Sequence, residues 1–245
     1  MKGIKVAVLV LALTLGIAAN AGATVTFTGS SGTRAASASF TLTGTTLTVV
    51  LTNTSLADCL VPTDVLTAAF FDITGFPPAV LTPVSAMLSG GSVVYNGPNG
   101  GGNVGGEWAF GEPVAGPGGA MLTTSSSGFG LVGGGNFGGP NLQGPNSVDG
   151  VQYGLTSTGD NPGTGNAAMF SNALIQNQVT FTLTASAVFS ESTIHNVSFQ
   201  YGTSLTEPNV PGTPPTVPEP TTMLLLGMGL AGSGGLGIIR RRRGQ

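Results

Sequence analysis

The chain has 245 residues, of which 41 are glycine and only 7% are charged, where an ordinary soluble domain carries roughly 25% charged residues. Its net charge of -3 is unevenly spread: Lys2 and Lys5 stand at one end, Arg240, Arg241, Arg242 and Arg243 at the other, and Arg34 alone faces the nine carboxylates between residues 58 and 207. An acidic body of this kind excludes nucleic acid as a partner, because phosphate binding is driven by the basic residues it lacks.

Residues 1–23 read as a signal peptide. Lys2 and Lys5 give the positive start, residues 6–19 the apolar stretch, and Ala21-Gly22-Ala23 the small-residue cleavage site, which puts the mature start at Thr24. No cysteine follows the apolar stretch, so a lipoprotein anchor is not expected. The shortness of the apolar run also disfavours a retained membrane helix.

The body, 24–205, reads as all-β. Glycine and threonine both disfavour helix, and threonine's branched carbon suits a pleated strand. Strands are expected at 24–28 and 36–43. The alternation is clearest at 46–52, where Leu47, Val49 and Leu51 face one side and Thr46, Thr48 and Thr52 the other. Cys59 is the single cysteine, which rules out an internal disulfide and reads as a small buried apolar residue. A further strand is expected at 65–74.

From 90 to 146 glycine dominates, and Gly101-Gly102-Asn103-Val104-Gly105-Gly106 recurs as Gly134-Gly135-Asn136-Phe137-Gly138-Gly139. Two copies of a turn sequence do not make a solenoid, so this stretch reads as long ordered loops. Trp108, the lone tryptophan, is the candidate ligand contact, able to stack on a sugar ring, with a core role as the competing reading. Gly128-Phe129-Gly130-Leu131-Val132-Gly133 matches G-x-G-x-x-G, yet more glycine follows in place of the helix that would hold a pyrophosphate.

Asp149, Asp160 and Asn161 supply oxygen ligands of the type calcium takes, but without the spacing of a calcium loop; turn formation is the competing reading. No metal and no cofactor is therefore assigned. Strands follow at 151–155, at 179–185, where Val179, Phe181, Leu183 and Ala185 alternate with hydroxyls, and at 194–201. His195, the only histidine, falls in the last of these. It has no nucleophile motif to serve, and one histidine with one cysteine cannot furnish a zinc site. Many short strands punctuated by Gly, Pro, Asn and Asp argue for an antiparallel β-sandwich with long Gly-rich loops and no catalytic residues, so an enzyme is not expected.

A Pro-rich linker, 206–217, carries Pro211, Pro214 and Pro215 and reads as an extended stalk. Residues 223–239 carry no charge and would make a helix about 25 Å long, barely enough for a hydrocarbon core of about 30 Å. The four arginines that follow should remain cytoplasmic, leaving the body outside the inner membrane.

Val217-Pro218-Glu219-Pro220-Thr221, the glycine-rich apolar segment 223–239 and the cluster Arg240, Arg241, Arg242 and Arg243 together resemble the PEP-CTERM sorting signal of Gram-negative bacteria, over 218–243. Stretches 51–55, 62–73 and 101–110 also resemble an uncharacterised family of exosortase-dependent surface proteins. The resemblance implies that Pro218, Glu219 and Pro220 are a recognition motif and that an exosortase, a membrane cysteine protease or transpeptidase, is the processing partner. It further implies transient anchoring in the inner membrane by 223–239, then delivery to the cell surface or an exopolysaccharide matrix. The expected function is that of an exported structural protein, with a carbohydrate-binding or adhesive module as the alternative.

Overall fold

Alternating hydroxyl and apolar side chains leave the strands at 34–43, 46–53 and 178–185 with one face to be covered. The computed structural model, which describes residues 23–74, 80–112, 117–124 and 150–215, covers those faces with two sheets. The strands are β1 (Thr24–Ser31), β2 (Arg34–Thr43), β3 (Thr46–Asn53), β4 (Leu66–Ile73), β5 (Leu81–Leu88) and β6 (Val93–Tyr95). After them come β7 (Trp108–Gly111), β8 (Ala120–Thr124), β9 (Leu155–Thr156), β10 (Leu174–Gln176), β11 (Gln178–Ala185), β12 (Ile194–Tyr201) and β13 (Asn209–Pro211). The one α-helix among the described residues is α1 (Ala167–Ser171), capped by the Asn166 side chain.

The first sheet has the order β1-β2-β3-β11-β5 and is antiparallel throughout. Its two hairpins turn at Gly32 and Gly44, whose φ values of 60° and 61° lie where a side chain would be strained. Register then sets the core: Phe40, Val49, Phe181 and Ala86 lie opposite one another in a single row across four strands, all fully buried. The next row is Phe27, Ala38, Leu51 and Val179. Alanine beside phenylalanine in each row lets large and small side chains fill one layer.

The second sheet runs β13-β12-β4-β9-β10-β6, and the β7–β8 pair joins it through β8 on β4. It is mixed, because β9 and β10 are parallel; the expectation of a wholly antiparallel fold is corrected at that pair. Buried residues of both sheets form one cluster. Two aromatic contacts knit it: Phe40 meets Phe71 of β4 at 5.2 Å, and Trp108 of β7 meets Phe181 at 5.0 Å, both edge-on. Ala68, Phe70 and Met121 form a separate buried cluster.

Three expectations change. The stretch 90–146 is not loop throughout, since β6, β7 and β8 belong to the sheet. The strand expected at 151–155 reduces to Leu155–Thr156: Val151, Tyr153 and Leu155 alternate as a strand would, but Tyr153 takes a left-handed φ of 57° and turns the chain. The stalk expected from 206 begins later, because Val210 is buried in β13 and β13 pairs with β12. Gln200, fully buried, accounts for this docking. Its Nε2 donates to the carbonyls of Ser204 at 2.9 Å and Glu207 at 3.0 Å, and its Oε1 accepts from Asn209 at 3.2 Å. Thr213 then pairs with Thr28 of β1.

The chain through Pro214 forms one unit and the chain from Pro215 a separate one. The expected signal peptide through Gly22, the motif Pro218, Glu219 and Pro220, the apolar segment 223–239 and the four arginines lie outside the described residues. Ala23 is described, exposed, immediately before β1. Among the described residues no helix is long and apolar enough to cross a membrane.

Ending the chain at residue 205 should therefore lower unfolding stability by about 3 kcal/mol or more, since it uncovers the surface under Val210 and strips Gln200 of its partners. Ending it at residue 215 should leave urea unfolding unchanged.

Candidate functional site

Trp108 does not offer a face to a ligand. It is fully buried on β7 with its ring against Phe181, so the candidate sugar contact is corrected to a core residue. The alternation Trp108, Ala109, Phe110 was the signal for this strand, obscured by the glycines around it. His195 stands opposite Asp72 on β12, half-buried, with Nδ1 3.0 Å from the Thr193 carbonyl, to which Nδ1–H donates. A bulge between His195 and Ser198 breaks the alternation that would have aligned it with Val197 and Phe199.

Next to Trp108, Glu107 is 1% exposed. Burial pushes its carboxyl up to about 7. Among the described residues Glu107 Oε1 and Trp108 Nε1 have no hydrogen-bond partner. Tyr153 is close enough for its hydroxyl to be raised, to about 12, first by burial and then by the Glu107 charge, while that hydroxyl donates to the Pro98 carbonyl at 3.0 Å.

The most polar constellation joins two loops distant in sequence, 54–64 and 156–166. Asp160 Oδ1 accepts from the Cys59 N–H at 3.0 Å, and Asp58 Oδ1 accepts from the Asn161 N–H at 3.0 Å. Each aspartate thus binds the residue that follows the other. Thr164 adds its hydroxyl to Asp58 Oδ2 at 2.6 Å, and Asn161 Oδ1 closes its own turn on the Gly163 N–H. The pair is electrostatically unequal: the Thr164 hydroxyl and the Asn161 N–H hold Asp58 low, whereas burial raises Asp160, with Asp58 beside it adding to the rise.

Cys59 sits under the clasp, buried and unpaired, its thiol 3.5 Å from the Asp64 carbonyl and pushed up to about 12, chiefly by burial. Such a thiol is neither a nucleophile nor a metal ligand at neutral pH. Asp64 closes the first loop by accepting the Leu60 and Val61 N–H groups, and pairs with Arg34 at 3.2 Å.

Of the residues singled out for calcium, Asp160 and Asn161 meet in this clasp, and Asp149 lies outside the described residues. Asp58, whose partner stands 102 positions away, carried no local signal. Among the described residues no three His, Cys, Asp or Glu side chains converge. No protein-family model, no curated protein and no solved structure matches the chain.

The raised Glu107 fixes a pH dependence. Its folded value of about 7 lies above the ordinary 4.5, so the stability it confers is complete below about 4.5 and is lost as pH rises through about 7. The wild type should lose about 2 kcal/mol between pH 5 and pH 8 in urea unfolding, and Glu107→Gln should remove that slope.

Proposed function

We propose that the chain is an exported, non-catalytic structural protein of the cell surface or extracellular matrix, processed at its C-terminal end by an exosortase. One observation carries this: Pro218-Glu219-Pro220, the uncharged glycine-rich segment 223–239 and Arg240, Arg241, Arg242 and Arg243 stand together in the order a sorting signal requires. The positive start, apolar stretch and Ala21-Gly22-Ala23 site provide the export step such a signal depends on. The body is read as a β-sandwich delivered by these segments, with the apolar helix a temporary anchor. Deleting residues 217–245 should move the body from the cell surface to the secreted or periplasmic fraction. Mass spectrometry of the mature protein should find a C-terminus near Glu219; a tail intact to Gln245 would falsify the processing step.

A second reading, adhesion to an uncharged polysaccharide, is favoured by the outer face of the first sheet. Register aligns Thr24, Thr41, Thr48, Thr182 and Ser85 in one row across all five strands. Hydroxyls bond to each other along this face, as between Thr24 and Thr41 at 2.7 Å and Thr26 and Ser39 at 2.8 Å, and no charge would oppose a neutral polymer. If the face is adhesive, the wild type should co-sediment with cellulose and the double variant Thr48→Lys, Thr182→Lys at least tenfold less. Equal sedimentation of the two would reject this face.

A further inference from the structure

Glu107 is 1% exposed, and among the described residues its Oε1 has no hydrogen-bond partner. The next side-chain donor along the chain, the Trp108 indole N–H, is also without a partner and so does not serve it. No ionisable side chain stands on β5, β7, β8 or β11, the strands around this point. From the turn before β9, Tyr153 is the one described titratable group whose hydroxyl feels the Glu107 charge. The described bases are engaged elsewhere: Arg34 pairs with Asp64 and donates from Nε to the Thr63 carbonyl at 2.6 Å, and His195 stands opposite Asp72. A carboxyl in such a place has to keep its proton or reach water.

The segment that carries Glu107 is suited to letting it out. Residues 98–107 include Gly100, Gly101, Gly102, Gly105 and Gly106, and the first three take φ values of 53°, 68° and 93°, where only glycine turns freely. The fastenings of this segment to other elements include the Tyr153 hydroxyl donating to the Pro98 carbonyl at 3.0 Å, the bridge from Asn103 to Met87, and the Val104 N–H donating to the Ala86 carbonyl at 2.9 Å. The last two cover the outer edge of β5, the end strand of the first sheet. The Glu107 N–H in turn closes on the Val104 carbonyl at 3.0 Å, so the carboxyl and the cover on β5 belong to one turn.

We propose that residues 98–107 form a pH-operated flap on the outer edge of β5, closed while Glu107 keeps its proton and released when it loses it. The direction follows from linkage. Burial raises the carboxyl from the ordinary 4.5 to about 7 in the closed form, so the preference for closure is complete below about 4.5 and is lost as pH rises through about 7. Within that window opening becomes roughly tenfold easier for each pH unit. β7 stays in place, paired with β8 and anchored by Trp108 on Phe181. What is uncovered is the backbone of Ala86 and Met87, on a strand with no charged residue to discourage pairing. A rise in pH is thereby converted into a free strand edge, by a device independent of the sorting tail.

The test is hydrogen exchange of the full chain at pH 5 and pH 8, with intrinsic rates divided out, read at the Val104 N–H and at the Val49 N–H in the middle of β3. In the wild type the protection of Val104 should fall about 50-fold between the two pH values. At pH 8 it should exchange about tenfold or more faster than Val49, because it opens locally. Glu107→Gln should keep Val104 equally protected at both pH values, and Glu107→Met serves as a second neutral variant should the glutamine fail to fold. Equal protection of Val104 and Val49 at pH 8 would mean that the segment opens only when the whole domain unfolds, which overturns the proposal. An undiminished fall in a neutral variant overturns it as well.

Discussion

Everything else in the domain depends on the unbroken register of β2, β3 and β11. It puts Phe40, Val49 and Phe181 in one buried row, and both aromatic bridges to the second sheet, to Phe71 and to Trp108, spring from that row. A slip of one residue would exchange the buried Leu, Val and Phe of these strands for Thr or Ser at every position but one, where the outward Val50 of β3 would turn in. In a chain with 7% charged residues, hydroxyl groups provide the contrast between inside and outside that charges usually provide. Burying an unpaired hydroxyl is costly, so threonine is sufficient to fix the register while keeping β propensity high.

The same scarcity of charge leaves the sheet edges with few of the usual defences against pairing with another chain. β5 lies at one edge of the first sheet and carries Pro83, beside a register shift at Thr182 and Leu183. Proline removes a donor and the irregularity bends the strand, both of which blunt an edge without any charge. At the other edge, β1 is partly covered where Thr28 and Thr213 exchange backbone bonds.

How much of this was legible in the sequence follows from how local each signal is. The strands of the first sheet alternate cleanly, so residues 46–52 and 179–185 identify β3 and β11 almost to the residue. β7 was hidden because glycine-rich neighbours masked a pattern only three residues long, Trp108 to Phe110. The alternation at 151–155 misled for the opposite reason: it was present, but Tyr153 turns with positive φ. Least legible was the aspartate clasp. Asp160 and Asn161 could be recognised as turn formers on one loop, yet the partner, Asp58, is defined by a contact between loops that sequence spacing does not encode.

The boundary between the domain and the C-terminal segment shows what local reading could and could not fix. Proline frequency alone starts the stalk at 206, because a proline cannot donate to a sheet. Yet a proline can end a short edge strand, and Pro211 does so opposite Ser198. The glutamine that draws β13 in lies nine residues earlier, at Gln200, and its amide bonds outweigh the local preference for an extended stalk. The last described backbone bonds to the core are those of Thr213, just before the unit boundary at Pro214. Among the described residues the backbone bonds that close the domain thus end at Thr213, before the C-terminal segment from Pro215 begins.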